Sequence, residues 1–326
     1  MAVRAMAVSD IEMIDIGGWR GTVPEEVSST IARRTVRLAL RDARDAVGYT
    51  QADVAEEMEW SLSKVIRIES GEVSIAPNDL RPLLTFLQVR DRAKINELVE
   101  LTKVARKRSR SQWHQGVGVR EHLTDAMRRW VEYEAEAVEI RYYSVYYIPG
   151  PLQVPAYAAT NLANFDDSDI PRKTRDLRAE ARQRRRQVLL SRLDDGLSVY
   201  ALLDQSVLLR PIGGPEVFRE QLSDLHKLAE DGKIKLRMLP FDSNYTVTNN
   251  ATFDLLTLFG QGGEQSEVLY RETGLLDEVV EDSSVQRHRE RFDKIWEIAA
   301  TVEDTVEYLS GRIKELEAAI RNANKP

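Results

Sequence analysis

The chain has 326 residues, 30% of them charged, a formal net charge of −7 and no cysteine. The missing cysteine excludes disulfides and cysteine-ligated zinc, and no apolar run approaches the ~20 residues that a membrane span needs. The charge is unevenly placed: residues 31–114 hold 16 Lys/Arg against 12 Asp/Glu, a net of +4, whereas residues 1–30 carry −3 and the remainder −8. The acidic remainder argues against nucleic acid along the whole chain, and the positive charge falls on one segment, where phosphate attraction can act.

In chain order, residues 1–30 read as an N-terminal arm, partly disordered, broken by Gly17-Gly18 and Pro24, with Ile11–Ile16 as a short strand. Met1–Val8 is mildly apolar but carries Arg4 and runs into acidic residues, so no signal peptide is expected and the chain reads as cytoplasmic. A helix is expected from Ser29 to Val47, with Ile31, Val36, Leu40, Ala43 and Val47 on one face and Gly48 at its end. Thr50 then suits an N-cap, and Asp53 puts an acid in the first turn, where the helix dipole favours it. Val54, Ala55 and Met58 form an apolar stripe, with Ala55 small where two helices must approach. Ser61 can cap a second helix whose apolar residues are Leu62, Val65, Ile66 and Ile68, with Gly71 as its C-terminal stop. Two short helices joined tightly are the unit that lays its second helix in a DNA major groove. Pro77 opens a helix burying Leu80, Leu83, Leu84 and Leu87, and a fifth, Asp91–Lys107, buries Ile95, Leu98, Leu101 and Val104. Residues 31–112 are therefore expected to form a compact five-helix domain.

Basic Lys103–Arg110, followed by Trp113, Gly116 and Gly118, reads as a linker into a second domain over 113–326. A helix is expected over Asp125–Ile140, and Tyr142–Ile148 is β-prone until Pro149-Gly150-Pro151 stops it. Residues 155–163 and 171–192 look helical. Leu197–Leu203 and Ile234–Leu239 read as strands around a helix that carries Val217, Phe218, Leu222, Leu225 and Leu228. Ala251–Phe259 and Glu267–Tyr270 read as two more strands, separated by Gly260–Gly263. This order predicts a mixed α/β domain, so the whole is α plus α/β. In the helical end of the chain, Val302, Val306, Leu309, Ile313, Leu316 and Ile320 are spaced 4, 3, 4, 3, 4. That heptad face fits either packing on its own domain or a dimer seam.

Leu40-Arg41, Arg44, Gly48, Thr50-Gln51, Ala55, Ser61, Ser63, Val65, Arg67, Ile68, Glu69 and Gly71 closely resemble the lambda-repressor-like, or XRE, helix-turn-helix family over residues 33–87. The resemblance implies that Gln51 meets the DNA phosphate backbone and that Leu62, Ser63, Lys64 and Arg67 face the major groove. It also implies that Glu69 holds the motif together, alongside the packing and capping residues Ala55, Val65 and Gly71. The chemistry fits. Arg67 or Lys64 can donate to guanine, Ser63 can bond base or phosphate, and Leu62 can touch a thymine methyl. Arg41 and Arg44 are either phosphate contacts or solvated. Two residues depart from the pattern: Trp60 replaces a small aliphatic residue, and Glu59 stands where the turn glycine is common, so a different turn geometry is expected.

Tyr146–Gln153 with Tyr157-Ala158, Arg186–Leu189, Leu208–Gly214, Gln221-Leu222, Leu225, Leu239-Pro240, Phe253 and Tyr270 resemble the actinobacterial WhiJ-like regulators. These join an XRE module to an effector domain of poorly defined function. The resemblance implies a small BldB-like partner protein in a developmental or antitoxin-like switch. Pro151 and Gln205 depart from the usual leucine and glutamate, so no ligand role is carried to them.

The functional expectation is a homodimeric transcription regulator, of repressor type, that reads a palindromic operator in double-stranded DNA. Its C-terminal domain would sense a small partner protein or ligand, with no cofactor and no membrane. The alternative is an antitoxin-like protein that holds a small partner and binds DNA to regulate itself. A DNA-tethered enzyme is the weakest reading, because there is no nucleophile elbow, P-loop or dinucleotide fingerprint. The four histidines, His114, His122, His226 and His288, show no ligand spacing, so no metal is expected. The nine cations of Arg172–Arg192 read as a solvated helix face paired with Asp176, Glu180 and nearby acids rather than as a second nucleic-acid surface, and the Tyr142–Tyr147 cluster as half core, with a pocket lining as the alternative.

Overall fold

A computed structural model describes residues 27–107, 123–164, 172–243, 252–260, 264–272 and 277–323. The expected strand at Ile11–Ile16 and most of the expected linker lie outside the described residues.

Five helices form the first part: α1 (Ser29–Ala46), α2 (Gln51–Glu57), α3 (Leu62–Glu69), α4 (Pro77–Phe86) and α5 (Arg92–Ala105). Each start has a local cause. Ser28 Oγ accepts from the Ile31 amide, Asp91 accepts from Ala93 and Lys94, and Pro77 occupies the first turn of α4, where a missing N–H is harmless. Ala32, Val36, Leu40, Val54, Val65, Leu80, Leu84 and Leu98 close a core between the five helices.

The second part is a six-stranded sheet of order β3-β2-β1-β4-β5-β6. Its strands are β1 (Glu139–Ser144), β2 (Ser198–Asp204), β3 (Lys235–Leu239), β4 (Phe253–Phe259), β5 (Gln265–Glu272) and β6 (Asp277–Val280). β1, β2 and β3 run parallel, whereas β4, β5 and β6 continue the sheet antiparallel. One face carries α6 (Asp125–Glu136), α7 (Pro155–Asn164), α8 (Arg172–Leu193), α9 (Gly214–Glu230) and α11 (Val302–Ala323) over a core of Trp130, Ile140, Tyr142, Ala201, Leu222, Leu256 and Leu309. α10 (Ser284–Ile298) covers the other face through Val285, Phe292 and Ile295, against Tyr143, Leu202 and Leu255. With both faces covered, β2 is buried from Val199 through Leu203 and shows no polar alternation.

Two expectations are corrected here, and one strand is new. The helix expected to reach Ile140 stops at Glu136, and Ala137 turns extended so that β1 can start at Glu139. β6 was not expected. The basic stretch of α8 is not a solvated face throughout. Arg184 does pair with Glu180 in the open, but Arg185 makes a buried two-pronged bond to Glu134 at 2.8 and 2.9 Å, and Arg186 reaches Asp224 at 2.7 Å. Within the Tyr cluster, Tyr142 and Tyr143 are fully buried and Tyr146 is exposed.

The heptad face of α11 packs inside its own chain. Leu309 and Leu316 are buried, and Val306 and Ile313 pack beside them, against the core that includes α9. For those two leucines, packing on their own domain is the alternative realised within the chain.

α1 belongs to both parts. Ile31 lies in the core of the sheet domain, while Ala32, Val36 and Leu40 lie in the helical core. Beside them, Arg34 and Arg37 both bond Glu281, which follows β6. Arg34 also donates to Ser266 at 2.8 Å, and Arg37 to the Tyr133 hydroxyl at 3.2 Å. Burial alone would raise the Glu281 pKa, but the charges of Arg37 and Arg34 outweigh it and hold the carboxyl below its usual range.

Candidate nucleic-acid interface

α2 and α3 are set by their first turns. Thr50 Oγ1 accepts from the Asp53 amide while the Asp53 carboxylate accepts from the Thr50 amide, at 3.2 and 2.7 Å. This reciprocal box keeps the Asp53 pKa below its usual value. Ser61 caps α3 through the Lys64 amide.

Between the helices, Glu59 takes φ 54°, the left-handed conformation for which glycine is the usual choice. The Trp60 amide then donates to the Ala55 carbonyl at 2.8 Å. The expectation of an altered turn is overturned: Glu59 adopts the glycine conformation itself. Trp60 packs at the margin of the helical core and presents its ring to Lys64, whose Nζ lies 3.6 Å from the ring centroid.

Below the exposed face, Glu69 ties three helices together. Its carboxylate accepts from Arg44 at 2.7 and 2.9 Å and from the Gln51 amide group at 2.8 Å. Arg44 also bonds the Tyr49 carbonyl and Asp45. Arg44, one of the phosphate candidates, is thus turned inward, and the hydrogen bonds it donates to Glu69 raise its pKa against the opposing effect of burial. Gln51 is held on the same carboxylate. Arg41 is half-buried, on the side of α1 that feels Asp282. Ala55 and Val65 are buried between the helices. Gly71 takes φ 83°, and a Cβ there would stand 3.1 Å from Arg37 Cδ, so the Glu281-bound arginine also lies against the end of α3. Arg37 Nη1 reaches the Glu69 carbonyl at 3.4 Å.

Outward from this base, α3 presents Leu62, Ser63, Ile66 and Arg67 to solvent. Lys64 is half-exposed and paired with Asp79 at 3.2 Å, and Arg67 with Glu72 at 3.2 Å. Ile66, counted among the apolar residues of this helix but not among those facing the groove, is 43% exposed. Its helical phase relative to Leu62, four positions earlier, is the signal that could have found it.

Two capped helices, a left-handed turn and an open outer face define a helix-turn-helix protein, the class of DNA-binding regulators. The helix-turn-helix domain family matches residues 37–98. A domain of unknown function, DUF5753, matches residues 127–311, more than half of the chain. The chain belongs to that family. No curated protein and no solved structure matches it. Among the described residues, no helix is long and apolar enough to cross a membrane.

Proposed function

We propose that the protein is a sequence-specific transcription regulator that inserts α3 into the DNA major groove. The observation that carries this reading is the outer face of α3, where Leu62, Ser63, Ile66 and Arg67 are exposed over a base locked by Glu69. In the proposal Leu62, Ser63, Lys64 and Arg67 read bases, Gln51 and Arg41 lie nearest the phosphates, and the protein works in the cytoplasm. The net-positive segment that holds the motif supports it. Residues 31–112 then act as the DNA module and 113–326 as the effector.

The effector domain is proposed to sense a small ligand or a small partner protein, of the BldB-like kind that the WhiJ resemblance implies. Its support is a chain of contacts: α1 sits in both cores, and its Arg37 binds Glu281 on one side and lies against Gly71 at the end of α3 on the other. Two copies on a palindrome would place their α3 helices about one DNA turn apart.

The test is selection of bound sites from random duplex DNA, with footprinting of the winner. Lys64→Ala with Arg67→Ala should abolish the specific footprint and leave the circular dichroism spectrum unchanged. An unchanged footprint would remove α3 from the groove. A stoichiometric small protein that co-purifies from native cells and is required for DNA release would favour the antitoxin-like variant of this reading.

A further inference from the structure

Among the described residues, six large apolar side chains stand exposed, and three of them belong to one corner of the helix-turn-helix: Leu62, Ile66 and Val73. Leu62 and Ile66 are one helical turn apart on the outer face of α3, 46% and 43% exposed. The two cations beside them are held sideways. Lys64 lies over the Trp60 ring and on Asp79, and Arg67 lies on Glu72. The centre of the face is consequently apolar, flanked by charge rather than built of it.

Only one group on the major-groove edges is apolar, the 5-methyl of thymine. Side chains at i and i+4 of a helix stand ~5–6 Å apart, which matches methyl groups one or two base steps of ~3.4 Å apart. We propose that Leu62 and Ile66 each read a thymine methyl, so that methyl contacts as well as polar bonds specify the half-site. The inference rests on the DNA-binding reading and names the feature of DNA that it recognises. Ile66 thereby becomes a specificity residue beside Leu62, and thymine the required base at two neighbouring positions.

Deoxyuridine tests this directly, because it removes the methyl and keeps every hydrogen-bonding edge. Binding of the full chain is measured on the selected site with each thymine replaced in turn by uracil. Two positions in a half-site should each lose about fourfold in affinity, the value of ~0.8 kcal/mol for one buried carbon. Leu62→Ala should erase the loss at one position and Ile66→Ala at the other. Arg67→Ala should weaken binding and leave both methyl effects in place. Both apolar residues are exposed and alanine is a strong helix former, so these variants should fold. Specific binding that ignores uracil at every position would overturn the inference and leave the DNA reading standing. So would methyl effects that persist undiminished in the Leu62→Ala, Ile66→Ala double variant. A chain that selects no DNA sequence at all would take both down.

Discussion

At Glu59 an acidic side chain holds the backbone at φ 54°, between Met58 and Trp60. A non-glycine residue in that conformation costs ~1–2 kcal/mol, of which glycine's greater freedom in the unfolded chain would return ~0.5–1. Glu59→Gly is therefore expected to stabilise the protein by up to about 1 kcal/mol in urea unfolding, with DNA affinity kept. Ion pairs in the same motif divide by burial. Glu69 is buried under Arg44 and Gln51, so Glu69→Ala removes the acceptor shared by both while Arg44 keeps the Tyr49 carbonyl and Asp45, and should cost about 1.5–2 kcal/mol. The Arg67–Glu72 pair is open to water, and Arg67→Ala should change stability by less than about 0.5 kcal/mol. Equal losses from the two variants in the same melt would refute this ranking. Residue roles were legible where chemistry is local, as in the Thr50 and Ser61 caps. They were not legible where direction matters: nothing in the sequence says that Arg44 turns inward while Ile66 turns out.

At the scale of elements, the helices of the first part and the strands β2, β3 and β4 were legible because apolar period and Gly/Pro stops coincide there. The change from α6 to β1 was not. Residues 134–140 contain no glycine or proline, and the strand exists because β2 and β4 offer hydrogen-bonding edges on both sides. β6 is four residues long with two acids, too short and too polar to register as a strand until β5 pairs with it. α11 showed its apolar seam plainly, but a seam does not name its partner. The Arg34–Glu281–Arg37 cluster joins elements that lie far apart in sequence, and it carries a pH prediction. Glu281 is depressed in the folded state, so its contribution is full above the unfolded carboxylate pKa of ~4.3 and is lost as pH falls through the lower folded value. His288 is also depressed, by burial against Phe253, so its contribution is lost on acidification from about pH 6.5 downward. The urea midpoint should fall in two acid stages. Glu281→Gln should lower the plateau by roughly 3 kcal/mol, since both arginines stay buried, and shrink the lower stage. A lower stage of unchanged size in that variant would detach it from Glu281.

Across the whole molecule, the acidic balance of the second part keeps nucleic-acid affinity confined to the first. Few phosphates can then be neutralised per chain, and the salt dependence of binding should be shallow for a single copy. α1 has a different consequence, which concerns heat. A helix counted in two cores cannot melt with one of them alone: freeing the helical part pulls Ile31 from under the sheet and strips Glu281 of both arginines. Scanning calorimetry should record one endotherm whose van't Hoff enthalpy equals the calorimetric one, although the chain has the length of two domains. Two resolved endotherms would mean that the shared helix is a tether. A single one would make it the hinge pin on which both halves stand or fall together.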